Sequence, residues 1–205
     1  MQMWNHFAST VKIWLEVKLY SKKGDLVYSH KQPVRSFLAN WTKALYGITY
    51  STTNLNIVKV VTRYGGSVGY PSYSGTGYPL FKLTADEGDT RNGIIFGSGT
   101  TPPSIDDYDL EAPIPHGTEA GELYYNASGL VYDIKSDRGV IHAYRTASNQ
   151  SGEDVTVSEI GLAFIWRRSD GNYYPVLVLR DVLDEALVVP HTYTIEGRYI
   201  FEFVL

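Results

Sequence analysis

The chain has 205 residues, 43% of them hydrophobic, no cysteine, and a formal net charge of −4 with a pI near 5.7. That is apolar material for one large domain or two small ones, and the mild acidity argues against the global basic field that attracts nucleic acid or anionic membrane. Without cysteine there are no disulfides, no thiolate nucleophile and none of the common structural zinc sites, so stability has to come from packing.

The opening stretch "MQMWNHFASTVKIWLEVKLY" has no uninterrupted apolar core behind a basic segment, and nowhere do the about twenty apolar residues of a spanning helix occur together. The expectation is a soluble, unprocessed chain with no membrane insertion. Val11, Ile13, Leu15, Val17 and Leu19 alternate with Lys12, Trp14, Glu16, Lys18 and Tyr20, which predicts a strand with one core face. "SKKGD" then supplies a turn and "LVYSHKQPV" a second strand, so the chain opens with a hairpin. Val34, Phe37, Leu38, Trp41 and Leu45 fall at helical spacing and predict a helix, stopped by Gly47, that covers a sheet.

Between residues 51 and 91 the periodicity weakens to one strand, "NIVKVVTRY", followed by "GGSVGYPSYSGTGYP", whose glycine, serine and tyrosine content predicts a long surface loop at 64–79. Strand patterns return in "GIIFG", "GELYYNASGLVYDI", "GVIHAYRTAS", "DVTVSEIGLAFIWRR", "YYPVLVLRDVL" and "TYTIEGRYIFEFVL". Their separators "KSDRG", "NQSGE" and "SDGN" are hairpin-type turns. The architecture this predicts is a single domain, residues 1–205: mainly β, an antiparallel β-sandwich of jelly-roll type with one covering α-helix near the N-terminus. The final apolar alternation predicts a strand held within a sheet, either closing its own sandwich or adding to a neighbour's edge.

The segment "IIFGSGTTPPSIDDYDLEAPIPHG" concentrates the candidate chemistry in a loop at 97–117. A phosphate cradle needs its glycines to lead into a helix, but Pro102 and Pro103 follow and the usual lysine is missing. Asp106, Asp107, Asp109, Glu111 and His116 are hard or borderline metal ligands, yet the spacing is not that of a calcium loop, and the preferred reading is an acidic turn that caps a sheet end. A glycosidase carboxylate pair has no motif behind it. His6, His30, His116, His142 and His191 include no two at close ligand spacing, which leaves His116 as a hydrogen-bonded loop residue, and "GSGTT" is not a nucleophile elbow. Neither metal nor cofactor is implied.

Glu159, Arg180 and Asp181 stand inside apolar strand runs, where charges are seldom buried without partners. They are candidates for a structural ion pair that fixes strand register. The chain also has 17 tyrosines. Tyr64, Tyr70, Tyr73, Tyr78 and Tyr108 fall in the two loops, where tyrosine supplies rigid amphipathic area for protein contacts or sugar stacking. With Asp106, Asp107 and His116 they form the candidate interface. The competing reading is that tyrosine is simply a good strand residue that packs on sheets.

"GSGTTPPSIDDYDLEAPIPHG", "SNQSGEDVTVSEIGLAF", "LVLRDVL" and the closing "TYTIEGRYIFEF" together resemble a pattern found in β-rich virion structural proteins of tailed and other prokaryotic viruses, over residues 93–205. The resemblance carries no catalytic signature. It implies a non-enzymatic capsid, neck or tail component, assembled in the host cytoplasm and located in the virion, with copies of itself and other virion proteins as partners; the loop tyrosines add a host surface glycan as a further candidate partner. Two other function classes remain beside it: a carbohydrate-binding module and a β-sandwich glycan-cleaving enzyme.

Overall fold

The structure is a computed structural model that describes residues 10–49, 59–69, 81–167 and 172–204. The opening alternation becomes β1 (Thr10–Tyr20), which turns at Gly24 into β2 (Leu26–Pro33). At the other end of the described chain, β12 (Thr194–Val204) pairs along the whole of β1, from Thr10 opposite Val204 to Tyr20 opposite Thr194. Its other edge pairs with β9 (Arg138–Ser148), so β12 is a central strand of its own domain and not one donated to a neighbour. β7 (Tyr124–Tyr125) and β8 (Gly129–Ile134) share the outer edge of β9 and complete a six-stranded antiparallel sheet. The predicted single strand over "GELYYNASGLVYDI" is therefore two. Asn126–Ser128 interrupts it, because the Ser128 N–H is drawn to the Ala85 carbonyl instead.

A second antiparallel sheet is built on β10 (Val155–Arg167) and β11 (Tyr173–Val189), with β5 (Phe81–Lys82) and β6 (Gly93–Gly97) along the other edge of β10. Ile13, Leu15, Val17, Tyr199 and Phe201 of the six-stranded sheet join Ile160, Leu162, Phe164, Trp166, Val176 and Val178 of this one in a single buried cluster. The opposite face of the four-stranded sheet is covered too, where Ile95, Ala163 and Leu177 meet Leu38 and Leu110. Residues buried on both faces explain why β10 and β11 read as near-continuous apolar runs.

The predicted helix exists but starts later and runs further: α1 is Ala39–Thr49, passing through Gly47. Residues 34–38 stay out of the helix because backbone groups there have partners on the sheets: the Val34 N–H donates to the Ile13 carbonyl of β1, and Arg35, Phe37 and Leu38 bond to β11. The Arg35 N–H donates to the Asp181 carboxylate, Phe37 bridges Leu179, and the Leu38 N–H donates to the Val178 carbonyl. Helical spacing there marks contacts with the sheet rather than a helix. Trp41 performs the expected covering role, stacked on Phe201 with ring centroids 6.0 Å apart. The strand expected over "NIVKVVTRY" is described only as β3 (Lys59–Val61), paired with β4 (Ser67–Gly69) inside the stretch expected to be loop. Tyr70, Tyr73 and Tyr78, and the remainder of that loop through residue 80, lie outside the described residues.

Candidate functional site

The acidic loop is a strap laid across the outer face of the four-stranded sheet, and its centre is the Glu159–Arg180 pair. A bulge between Val157 and Glu159 places Gly161 opposite Arg180. With no side chain at Gly161, the neighbouring Leu110 and Leu177 close over the position; a Cβ there would lie 2.8 Å from each. Arg180 Nε donates to Glu159 Oε2 at 2.7 Å, Nη1 to Asp107 Oδ2 at 2.7 Å, and Nη2 to the Thr101 carbonyl at 3.0 Å. Burial pulls the Arg180 pKa down, and the hydrogen bonds to Glu159 and Asp107 more than reverse this, leaving it raised.

Glu159, wholly buried, accepts the N–H of Gly99 and Ala112 on Oε1 and that of Glu111 on Oε2. The glycine-rich turn is thus an anion cradle after all, and the anion is the protein's own carboxylate. Side chains at the two glycines would obstruct it: a Cβ on Gly97 would sit 2.6 Å from Glu159 Oε1, and one on Gly99 would sit 2.5 Å from it. At the rim, Glu111 accepts the Thr100 and Thr101 N–H groups and the Thr101 hydroxyl. The Thr101 hydroxyl, then its N–H, holds the Glu111 carboxyl below its ordinary pKa.

The other acids of the strap divide. Asp109 bonds Arg63 Nε at 2.6 Å, tying the strap to the turn after β3. Tyr108 is exposed and lies against that turn, within van der Waals reach of a Cβ at Gly65, the residue that follows exposed Tyr64. Asp106 is exposed. His116 faces inward: Nδ1 accepts the Tyr125 N–H at 3.1 Å, and its ring lies 4.8 Å from that of Tyr124. The proposed interface set therefore splits, with Asp107 and His116 bound to the fold and Tyr64, Asp106 and Tyr108 at the surface. Among the described residues, no group of three or more His, Asp or Glu side chains is disposed to hold a metal.

Asp181 is not part of the Arg180 cluster, which corrects its grouping with Glu159 and Arg180. Successive strand residues point to opposite faces, so Asp181 enters the core between the sheets. There its Oδ1 accepts the Arg35 N–H at 3.0 Å, and Oδ2 lies 3.1 Å from the Tyr199 hydroxyl. Burial raises the Asp181 carboxyl above its ordinary pKa, against the lowering effect of those hydrogen bonds. Tyr199 is also raised, first by burial and then by Asp181. Its hydroxyl has one proton for two acceptors, Asp181 and the Ile160 carbonyl at 2.9 Å. A protonated Asp181 resolves the conflict by donating to Tyr199 while Tyr199 donates to Ile160.

Sequence reasoning missed a further buried charge. Arg145, wholly buried, points inward between Ala143 and Ala147 and donates to the carbonyls of Asn126, Asp86, Asn92 and Ile94, with its guanidinium 4.7 Å from the Tyr125 ring centroid. Desolvation lowers its pKa. The signal was present: in "AYRTA" the arginine occupies the core-facing register of an alternating strand, flanked by two small residues that leave it room.

The remaining feature of note is apolar. Val11 of β1, Phe203 of β12, Gly139 of β9 and Ile134 of β8 form one cross-strand row, and the next is Ile13, Phe201, Ile141 and Tyr132. At this end Val11, Phe203, Leu130, Tyr132 and Ile134 are exposed. A groove lined by Val11, Ile13, Pro33, Val34 and Phe37 opens beside them. No family model, no curated protein and no solved structure matches the chain.

Proposed function

We propose that this chain is a non-enzymatic assembly subunit, a β-sandwich of jelly-roll type that works through protein–protein contacts. The observation that carries this reading is the exposed apolar end of the six-stranded sheet, since contiguous apolar surface on a folded domain marks a place where another surface sits. The two sheets sharing one core support the sandwich. The resemblance of residues 93–205 to virion structural proteins supports a viral setting, as a capsid, neck or tail component with copies of itself and other virion proteins as partners. The ion pairs of the strap support a structural role for it, because Glu159, Arg180, Asp107 and Asp109 bond to other groups of the chain itself. Light scattering on the eluting peak and negative-stain imaging of the purified chain test the proposal. Defined oligomers, rings or particles are expected; a monomer at every concentration overturns self-assembly.

A second reading, glycan binding, is favoured by exposed Tyr64 in the turn after β3 and by exposed Tyr108, which lies against Gly65 of the same turn. A thermal shift with a glycan panel, lost on Tyr108→Ala, is its test.

A further inference from the structure

We infer that β8 is the edge at which a second copy of this chain adds, antiparallel to itself about a two-fold axis through Tyr132. The inference rests on the assembly reading and assigns it a surface. The six-stranded sheet has two outer edges, and they differ. β2 carries Lys31 and Pro33 within the polar run "SHKQP", the kind of charge and proline by which edge strands are kept from pairing. β8 carries Leu130, Val131, Tyr132 and Ile134 with one charge, Asp133, and Tyr132 and Ile134 are 74% and 76% exposed.

The backbone directions are set by the hairpin. The Lys135 N–H donates to the Arg138 carbonyl, so Lys135 and, by alternation, Asp133, Val131 and Gly129 turn their hydrogen-bonding groups toward β9. Those of Leu130, Tyr132 and Ile134 turn outward. An antiparallel second copy satisfies all three when Tyr132 lies opposite Tyr132 and Leu130 opposite Ile134. Moving the axis to Asp133 would set two carboxylates face to face. Moving it to Val131 would require an outward pair from Ser128, whose N–H is already given to Ala85. The Tyr132 register alone uses every free group and joins Leu130, Tyr132 and Ile134 with their mates into one apolar strip.

Charge does not oppose the approach. Asp133, Asp137 and Glu202 balance Lys12, Lys135 and Arg138 around the hairpin, and most are paired within their own copy: Lys135 with Asp133 at 3.4 Å, and Arg138 with Asp137 at 3.0 Å and Glu202 at 3.1 Å. An isologous contact requires such self-complementarity.

The test uses the full chain. Sedimentation velocity across a concentration series should show a reversible dimer, or a larger assembly built from it, that Tyr132→Lys dissociates by placing two ammonium groups across the axis; circular dichroism confirms that this exposed substitution leaves the fold intact. In the otherwise cysteine-free chain, Tyr132→Cys should cross-link under mild oxidation, because hydrogen-bonded antiparallel partners have Cα atoms about 5.5 Å apart. Val131→Cys, about 8 Å from its mate in this register, should not. Assembly that persists unchanged in Tyr132→Lys, or cross-linking by Val131→Cys in preference to Tyr132→Cys, overturns the β8 contact while leaving the assembly reading in place. A wild-type chain that stays monomeric throughout removes both.

Discussion

Arg180 is the residue on which the strap depends. Its loss would leave Glu159 charged and wholly buried with only backbone N–H partners, and breaking such a pair from one side costs about 3–5 kcal/mol. Asp107 is partly exposed, so Asp107→Asn should cost about 1 kcal/mol, the scale of a screened ion pair. Urea midpoints for Arg180→Ala and Asp107→Asn should therefore differ several-fold in their displacement from wild type; equal displacements would mean that Glu159 is not the group at stake. Asp181 behaves in the opposite sense. Its folded pKa is raised, so its contribution to stability is complete below the ordinary value of 3.8 and is lost as pH rises through the folded pKa. Asp181→Asn keeps an acceptor for Arg35 and gains a donor for Tyr199 without a charge. It should be at least as stable as wild type at neutral pH, with the advantage disappearing once the pH falls below the carboxylate range. A stability advantage that grows on acidification would contradict the assignment.

Two elements owe their placement to a few specific contacts. Helix α1 is short, and an isolated helix of this length has little stability of its own. It is held by Trp41 on Phe201 and by Asn40, whose side chain accepts the Val61 N–H and donates to the Val61 and Leu177 carbonyls. Trp41 is half-buried, so Trp41→Ala should cost about 3 kcal/mol, the lower end for removing a core aromatic. Near-wild-type melting would show that the helix is not docked through it. The strap depends on the backbone approach to Glu159. Gly99→Ala forces a Cβ against Glu111 and Glu159, and overpacking of this kind costs about 1–3 kcal/mol. The expected signature is faster proteolysis within residues 97–117. Unchanged digestion would mean that the carboxylate shifts aside without loosening the strap.

For the whole molecule, the decisive feature is that both sheets contribute to one buried cluster. A core shared in this way cannot be half lost, because opening either sheet exposes the inner face of the other. Unfolding should appear as one cooperative transition, with tryptophan fluorescence and far-ultraviolet circular dichroism coinciding in denaturant. Two separated transitions would divide the chain into independent units. Long-range pairing also predicts slow folding, since β1 and β12 must meet across nearly the full described chain before the six-stranded sheet has a centre.

Features that depend on neighbours one or two residues away were legible before any fold was known. Alternation identified β1 and β12, apolar runs identified the doubly covered β10 and β11, and charges within such runs marked Glu159, Arg180 and Asp181 as partners to be paired without saying with which. Features that depend on distant partners emerged only when the chain was folded. Helical spacing in residues 34–38 was overridden by hydrogen bonds to β1 and β11, because a backbone group with a sheet partner has no need of a helical one. Asp107 and Asp109 read as a solvated acidic turn until Arg180, 73 positions away, and Arg63, 46 positions away, came into contact with them. Arg180 and Asp181 are adjacent in sequence and lie on opposite faces of the sheet. Which carboxylate meets which arginine is set by strand register and by the path of the strap, and neither is written in any local stretch of residues.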